Sequence, residues 1–462
     1  MNKKRAAAAR RQRGVVLPFL FSVLAGVGVV GALFFYTPEW RGIVTKEPIS
    51  GETPVEQHTE EGVLVVAQTQ KAPEILEEKI QLPSYVPTPS AVKAIYMSQC
   101  VVGTPSFRDD LVELVEQTEL NSIVIDIKDY TGGIAFPATD PLLVDHVSSQ
   151  CGARDMKDFI AHLHEKNIYV IGRITVFQDP QYAVQHPELA VQFDDARGKV
   201  WKDNKGLSFI DVGAEPFWEY IVALSREARA FGFDELNYDY VRYPSDGPVS
   251  NMYLPWTKEQ EKADVLETFF AYLHEHVQDE QGYPEGMGAP ATSVDLFGMT
   301  TTATNDMNIG QVFERALPHF DYIAPMVYPS HYPNGFNGWA NPNTVPYEIL
   351  HYVLGSAVAR AVSTESEVPF LGAEEIVTTT TVPLETEGAA TTTRSVDTGR
   401  YKKPVYDANV VRPWIQDFDY GGEYGPKEVR AQIQAAYDVG LHSWMLWAPS
   451  NRYTRGALHD AE

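Results

Sequence analysis

Asn237-Tyr238-Asp239-Tyr240-Val241-Arg242-Tyr243-Pro244 closes a β-rich run with a carboxylate, a guanidinium and three tyrosines, just before the turn residues Ser245-Asp246-Gly247. A core strand has no use for that mixture, because each buried charge must be desolvated and paired. In an α/β barrel, side chains at the carboxyl ends of the strands are where ligands bind and chemistry occurs. The stretch predicts a strand end at the mouth of such a barrel, with Asp239 where a glycosidase carboxylate is needed.

Outward from this point, strand and helix signals alternate. Strands are predicted over 91–98, 122–128, 169–177, 235–243, 292–299, 322–328, 411–418 and 443–447. Helices are predicted over 105–119, 154–166, 215–231, 258–279, 309–317, 346–362 and 426–439, the first with Thr104 as N-cap ahead of Pro105. Alternation of this kind implies a parallel sheet. Eight units favour closure into a (β/α)8 TIM barrel over an open doubly wound sheet. The loop Cys100-Val101-Val102-Gly103-Thr104 after the first strand lacks the Gly-x-Gly-x-x-Gly spacing of a nucleotide site. Only 449–462 follow the last strand, so the eighth helix is expected to be short or missing, with 74–79 as a candidate to cover that flank.

The 462 residues leave room for more than a barrel of about 250 residues. Lys3, Lys4, Arg5, Arg10, Arg11 and Arg13 precede an uncharged run over 15–36, long enough for the roughly 20 residues that cross a bilayer. The basic tail, 1–14, is expected in the cytoplasm and everything after 36 outside. An uncleaved signal-anchor is preferred to a cleaved signal peptide, whose apolar region is shorter and ends in an Ala-x-Ala-like site. Residues 37–90, with Pro, Glu, Thr and Gln in excess, are expected to be a disordered linker. The domain over 91–462 carries a Thr-rich insertion at about 363–404, expected to be irregular. A net charge of −25 argues against a nucleic-acid partner, which requires a basic face. Oligomeric state is not legible.

Side-chain alternation sorts the strand residues by face. Asn237 and Asp239 share one face of the fourth strand and Tyr238 and Tyr240 the other; Asp126 pairs with Lys128 on the second, and Arg173 with Thr175 on the third. Asp295 shares a face with Ser293 and Phe297, Tyr328 with Met326, and Gln416 with Trp414; Trp447 ends the eighth strand. Pointed inward, these residues make a cup of carboxylates, a lysine and an arginine, rimmed by Tyr328, Trp414 and Trp447. Aromatic faces beside polar groups suit sugar rings, so Asp126, Lys128, Arg173, Asn237, Arg242, Tyr328, Trp414, Gln416 and Trp447 are candidate substrate-binding residues. His331 stands near the rim without an assigned role.

Ile125-Asp126-Ile127-Lys128-Asp129 followed by Gly132, Ile171 to Phe177, Asn237 to Pro244, Pro325 to Tyr332, Arg412 to Phe418 and Trp444-Met445-Leu446-Trp447 resemble the glycosyl hydrolase-like family called domain of unknown function 4015. The resemblance spans about residues 92 to 452 and implies a glycosidase-like barrel without naming a substrate; the Thr-rich insertion is atypical. Glycoside hydrolysis generally uses two carboxyl groups, one giving a proton to the leaving oxygen and one acting as nucleophile or activating water. Related barrels, such as the amylase-like ones, place that second group at the end of the fourth strand, which makes Asp239 the expected nucleophile or base. Arg242 or Arg173 is expected to favour its ionised form. Asp295, in a packed setting near Phe297, is the expected acid.

No cofactor or metal is expected, since the chain has no Cys-x-x-Cys or His-Glu-x-x-His spacing and Asp417 with Asp419 form only a weak calcium candidate. Cys100 and Cys151 follow the first and second strands, where an oxidising compartment permits a disulfide. A polysaccharide or oligosaccharide is the expected partner of an extracellular or cell-wall glycosidase. The competing readings are a catalytically inactive barrel that binds surface polysaccharide, and a deacetylase-like metalloenzyme, which would need histidines at strand ends.

Overall fold

The computed structural model describes residues 82–383 and 391–461. The basic tail, the expected anchor over 15–36, the segment 74–79 and most of the expected linker lie outside the described residues. Among the described residues, no helix is long and apolar enough to cross a membrane.

Eight parallel strands follow one another around a closed barrel. They are β1 (Lys93–Met97), β2 (Ser122–Lys128), β3 (Tyr169–Thr175), β4 (Glu235–Asp239), β5 (Ala291–Phe297), β6 (Tyr322–Met326), β7 (Trp414–Gln416) and β8 (Trp444–Trp447), and β8 pairs back onto β1. All seven residues of β2 and of β3 are buried, as expected of strands covered on both faces. Val92, Ala94, Tyr96, Val124, Ile171, Ala324, Trp414 and Met445 fill the inside of the barrel. A larger apolar layer joins the strands to the helices, with Leu163, Phe217, Leu266, Leu350 and Ile433 packed in one cluster with Ile125, Val170, Leu236 and Val294. Full burial of each such side chain stabilises by about 1.5–3 kcal/mol.

The helices Glu215–Phe231 and Pro346–Val362 occupy the predicted spans, and the helix Pro105–Glu116 ends earlier than its predicted span. Thr104 stands at the N-cap of that helix, but its hydroxyl donates backward to Cys100 O at 2.8 Å and caps no amide. Among the described residues after β8, only the short 3-10 turn Arg455–Ala457 forms.

Three segments depart from the sequence reading. Residues 82–90, assigned to the linker, pack against the amino-terminal end of the barrel. Val86 N donates to Asp234 Oδ1 at 2.8 Å, Thr88 Oγ1 meets Tyr169 OH at 3.0 Å, and the Arg229 guanidinium lies 3.4 Å from the Tyr85 ring centre. Pro83, Pro87 and Pro89 restrict this segment before folding, which reduces the entropy lost on ordering it. The Thr-rich insertion is an antiparallel hairpin, Glu374–Pro383 against Thr391–Lys402, with Glu365–Ser366 as a third strand. Threonine and valine are β-branched and fit a pleated strand, a preference that the reading of the segment as irregular overlooked. Finally, β4 stops at Asp239 and does not continue to Tyr243, because Tyr240 takes a left-handed backbone conformation with φ of 53°.

Cys100 and Cys151 are joined by a disulfide, with a Cα separation of 4.4 Å across 51 residues of sequence. It ties the connection after β1 to that after β2. Closing a loop of this size stabilises by about 2–4 kcal/mol. Reduction and alkylation should therefore lower the denaturant midpoint by the equivalent amount; an unchanged midpoint would show that the bond carries no stability.

Candidate active site

Strand register sets out the site. Asp126 on β2 is opposite Arg173 on β3, which is opposite Asn237 on β4, which is opposite Ser293 on β5. Continuing the β4 and β5 pairing by two residues brings Asp239 level with Asp295, on strands about 4.8 Å apart. The Arg173 guanidinium, almost wholly buried, reaches all three acidic residues. Its Nη1 donates to Asp126 Oδ1 at 2.6 Å, its Nη2 donates to Asp239 Oδ2, and its Nε faces Asp295 Oδ2 at 3.8 Å. The last distance is too long for a hydrogen bond, and Arg173 Nε is buried without a hydrogen-bond partner among the described residues.

The two proposed catalytic carboxyls have different surroundings. Asp239 accepts from Arg173 and, through Oδ1, from the Tyr240 amide at 2.5 Å. Asp295 receives only neutral donors at Oδ1: the Trp414 indole N–H at 2.7 Å and Asn237 Nδ2 at 2.9 Å. Burial, and then the nearby Asp239 charge, push the Asp295 carboxyl well above the usual range, with Arg173 only partly opposing them. That is the environment of a carboxyl group that keeps its proton.

Asp126 is a third carboxyl on this face. Burial raises it to about 6 despite its contacts with Arg173 and with the Tyr96 hydroxyl, which donates to Oδ2. Because the native state then holds its proton more tightly than the unfolded chain, the contribution of Asp126 to stability is expected to fall as pH rises from near 4 to about 6 and to change no further above that. The shift is worth on the order of 3 kcal/mol. Replacing Asp126 with Asn should flatten this part of a stability profile measured by denaturant melts; a slope that survives the substitution would assign it to another group.

The other candidates divide. Trp414 is 1% exposed and acts as a hydrogen-bond donor to Asp295, so it has little face to offer a sugar. Tyr328 is likewise buried, edge-on to Phe418 and His331 with ring centres 5.7 and 5.2 Å away, and His331 is exposed at the rim. Trp447 keeps part of its surface open, with its ring 4.1 Å from Tyr96 and the Arg173 guanidinium 5.1 Å from its centre. Together with the partly exposed Phe297, Phe418 and Tyr240 it supplies the aromatic surface of the mouth.

Lys128 does not join the cup, whereas Gln416 shares the inner face with Trp414, level with Trp447. A bulge between Asp126 and Lys128 sets Lys128 opposite the outward-facing Ile174, reversing the face that simple alternation gives it. Its ammonium is fully buried, donates to Thr175 O at 2.6 Å and pairs with Asp179 at 2.8 Å. Asp179 also caps the helix Pro180–Gln185, and a Cβ on Gly132, where φ is 91°, would stand 2.1 Å from its Oδ1. The lysine thus fastens the connection after β3 to the end of β2. Gln416 is fully buried, accepting from Ser330 N at 3.1 Å and donating to Phe418 O at 2.9 Å, which ties loops together and leaves little for substrate. Arg242 does not pair with Asp239, a role taken by Arg173. Asp417 is held by Thr454 and Asp419 by the Tyr424 amide.

Two features escaped the sequence reading. Tyr96 shares the inner face of β1 with Ala94, so alternation applied to that strand would have found it; nothing local marks Tyr453, whose hydroxyl accepts from the Tyr96 amide at 2.8 Å. The long connection after β3 also builds one wall of the mouth. Its strand Gln192–Phe193 pairs with Met252–Tyr253 from the connection after β4, and Val191, Trp201 and Phe209 pack with Tyr240.

No curated protein matches the chain. Among solved structures, it is similar to a hypothetical protein from Ruminiclostridium thermocellum, at 28% identity over 43% of this chain and 96% of that one, with a TM-score of 0.37. It is also similar to the PgaB (BpsB) glycoside hydrolase domain from Bordetella bronchiseptica, at 10% identity over 80% and 99% of the two chains, with a TM-score of 0.48. An alpha-galactosidase from Thermus thermophilus matches at 12% identity over 81% and 61%, with a TM-score of 0.43. The model of domain of unknown function 4015, described as "Putative glycosyl hydrolase domain", matches residues 94–380 and 378–453, which takes in the barrel strands from Ala94 onward and every acidic residue around Arg173. The chain belongs to that family.

Proposed function

We propose that the barrel is a glycoside hydrolase acting on an extracellular or cell-wall polysaccharide, with Asp295 as acid and Asp239 as nucleophile or base. The observation that carries this reading is the contrast between two carboxyls on neighbouring strands: Arg173 binds Asp239 directly, whereas Asp295 accepts only from the neutral Trp414 and Asn237 and is pushed well above the usual carboxyl range by burial and the Asp239 charge. In the reaction, Asp295 passes that proton to the glycosidic oxygen as its bond to the anomeric carbon breaks. Asp239 attacks that carbon, or takes a proton from the water that does. Arg173 holds Asp239 in place, and Trp447 offers a partly open ring for a sugar face. The basic residues ahead of the uncharged run over 15–36 support anchoring in the membrane with the barrel on the extracytoplasmic side.

One observation favours an inactive, polysaccharide-binding barrel instead: Asp295 is only 1% and Asp239 5% exposed, with both oxygens of Asp239 engaged within the protein. Fluorescently labelled oligosaccharides incubated with the wild type and with Asp239→Asn separate the two. The hydrolase reading expects shortened products from the wild type alone. Binding without turnover, unaltered in Asp239→Asn, would support the binding barrel.

A further inference from the structure

Arg242 lies at the mouth, three residues beyond Asp239, and the left-handed turn at Tyr240 separates it from the strand. It is 9% exposed. Its Nη1 donates to Tyr243 O at 3.0 Å, and its Nε and Nη2 make no hydrogen bond among the described residues. No carboxylate among those residues comes within 4.0 Å of it. Its guanidinium packs against Phe297, with 4.8 Å to the ring centre, and against Tyr240 at 4.9 Å. Asp239, Asp246 and Asp203 act on it only through space, and burial outweighs them, drawing Arg242 below the usual guanidinium range. A cation removed from water without an ion-pair partner is costly, and an arginine at pH 7 cannot shed its charge.

We propose that Arg242 forms an anion subsite that selects glycans carrying an acidic substituent on the sugar, the free Nε and Nη2 edge binding that group side-on. Two parallel N–H donors match the two oxygens of a carboxylate, and equally those of a sulfate or phosphate ester. Phe297 and Tyr240, which pack against the guanidinium, are both partly exposed and can offer apolar surface to the ring that bears the substituent. This inference rests on the hydrolase reading for its place beside Asp239, but binding alone tests it.

The test is a glycan array holding uronic acid, sulfated, phosphorylated and neutral oligosaccharides, probed with the wild type, Asp239→Asn, Arg242→Gln and Arg242→Lys. The wild type and Asp239→Asn are expected to prefer acidic glycans, and the class of acid bound identifies the substituent. Arg242→Gln should lose that preference by at least about tenfold, the usual scale for one charge-assisted contact. Arg242→Lys, which keeps the charge without the fork, should retain part of it and so distinguishes lost recognition from misfolding. Preference for neutral glycans, absence of binding to any acidic one, or an Arg242→Gln variant that binds acidic glycans like the wild type would overturn the subsite. Hydrolysis of acidic glycans unaffected by Arg242→Gln would do so while leaving the hydrolase reading intact; selective acidic binding without turnover would leave the subsite and remove the hydrolase.

Discussion

Replacing Arg173 with Met is expected to destabilise the barrel by about 3–5 kcal/mol, the cost of removing one partner from a buried charge network. The side chain is 5% exposed and holds Asp126 and Asp239 together across β2, β3 and β4. Without it, buried carboxyls face one another with no cation between them, and burial and mutual repulsion favour their neutral forms. Two readouts follow: a lower denaturant midpoint at pH 7, and partial recovery of stability on acidification, because protonation removes the repulsion. An Arg173→Met protein as stable as the wild type would mean that the cluster is not held by this guanidinium.

Replacing Asp239 with Asn is expected to lower kcat by at least about 10²–10⁴-fold, the range associated with loss of a positioned acid or base. The substitution preserves shape, so binding should change far less than turnover. The amide loses its charge toward Arg173, and some stability with it, but the Tyr240 N–H can still donate to the retained oxygen. Rates on any oligosaccharide turned over by the wild type check this; a kcat within twofold of wild type would remove Asp239 from the chemistry.

The barrel was legible because its signal is repetitive: eight strand segments alternate with helices, and β2 and β3 each carry a short apolar run, Ile123-Val124-Ile125 and Tyr169-Val170-Ile171. Asp126, Arg173, Asn237 and Asp295 were legible because a regular strand has a period of two. The errors came where that period breaks. The bulge before Lys128 moved it outward, and the left-handed Tyr240 ended β4 early and redirected Arg242. Neither irregularity has a local signal, since no glycine or proline marks the site. The roles of Trp414 and Gln416 depend on distant partners, Asp295 and Ser330, that only closure of the barrel brings near. Choosing between Arg173 and Arg242 as the partner of Asp239 was likewise a question of three-dimensional distance.

The assignment of Asp295 as acid sits at the centre of the proposed mechanism, and leaving-group dependence tests it most directly. A poor leaving group, such as another sugar, needs the proton that Asp295 supplies, whereas dinitrophenolate departs without one. The measurement is kcat/KM of Asp295→Asn relative to wild type on an oligosaccharide and on its dinitrophenyl glycoside. The expected result is a loss of roughly 10²–10⁴-fold on the oligosaccharide and a much smaller loss on the aryl glycoside. Equal losses on both substrates, or no loss on either, would contradict the account.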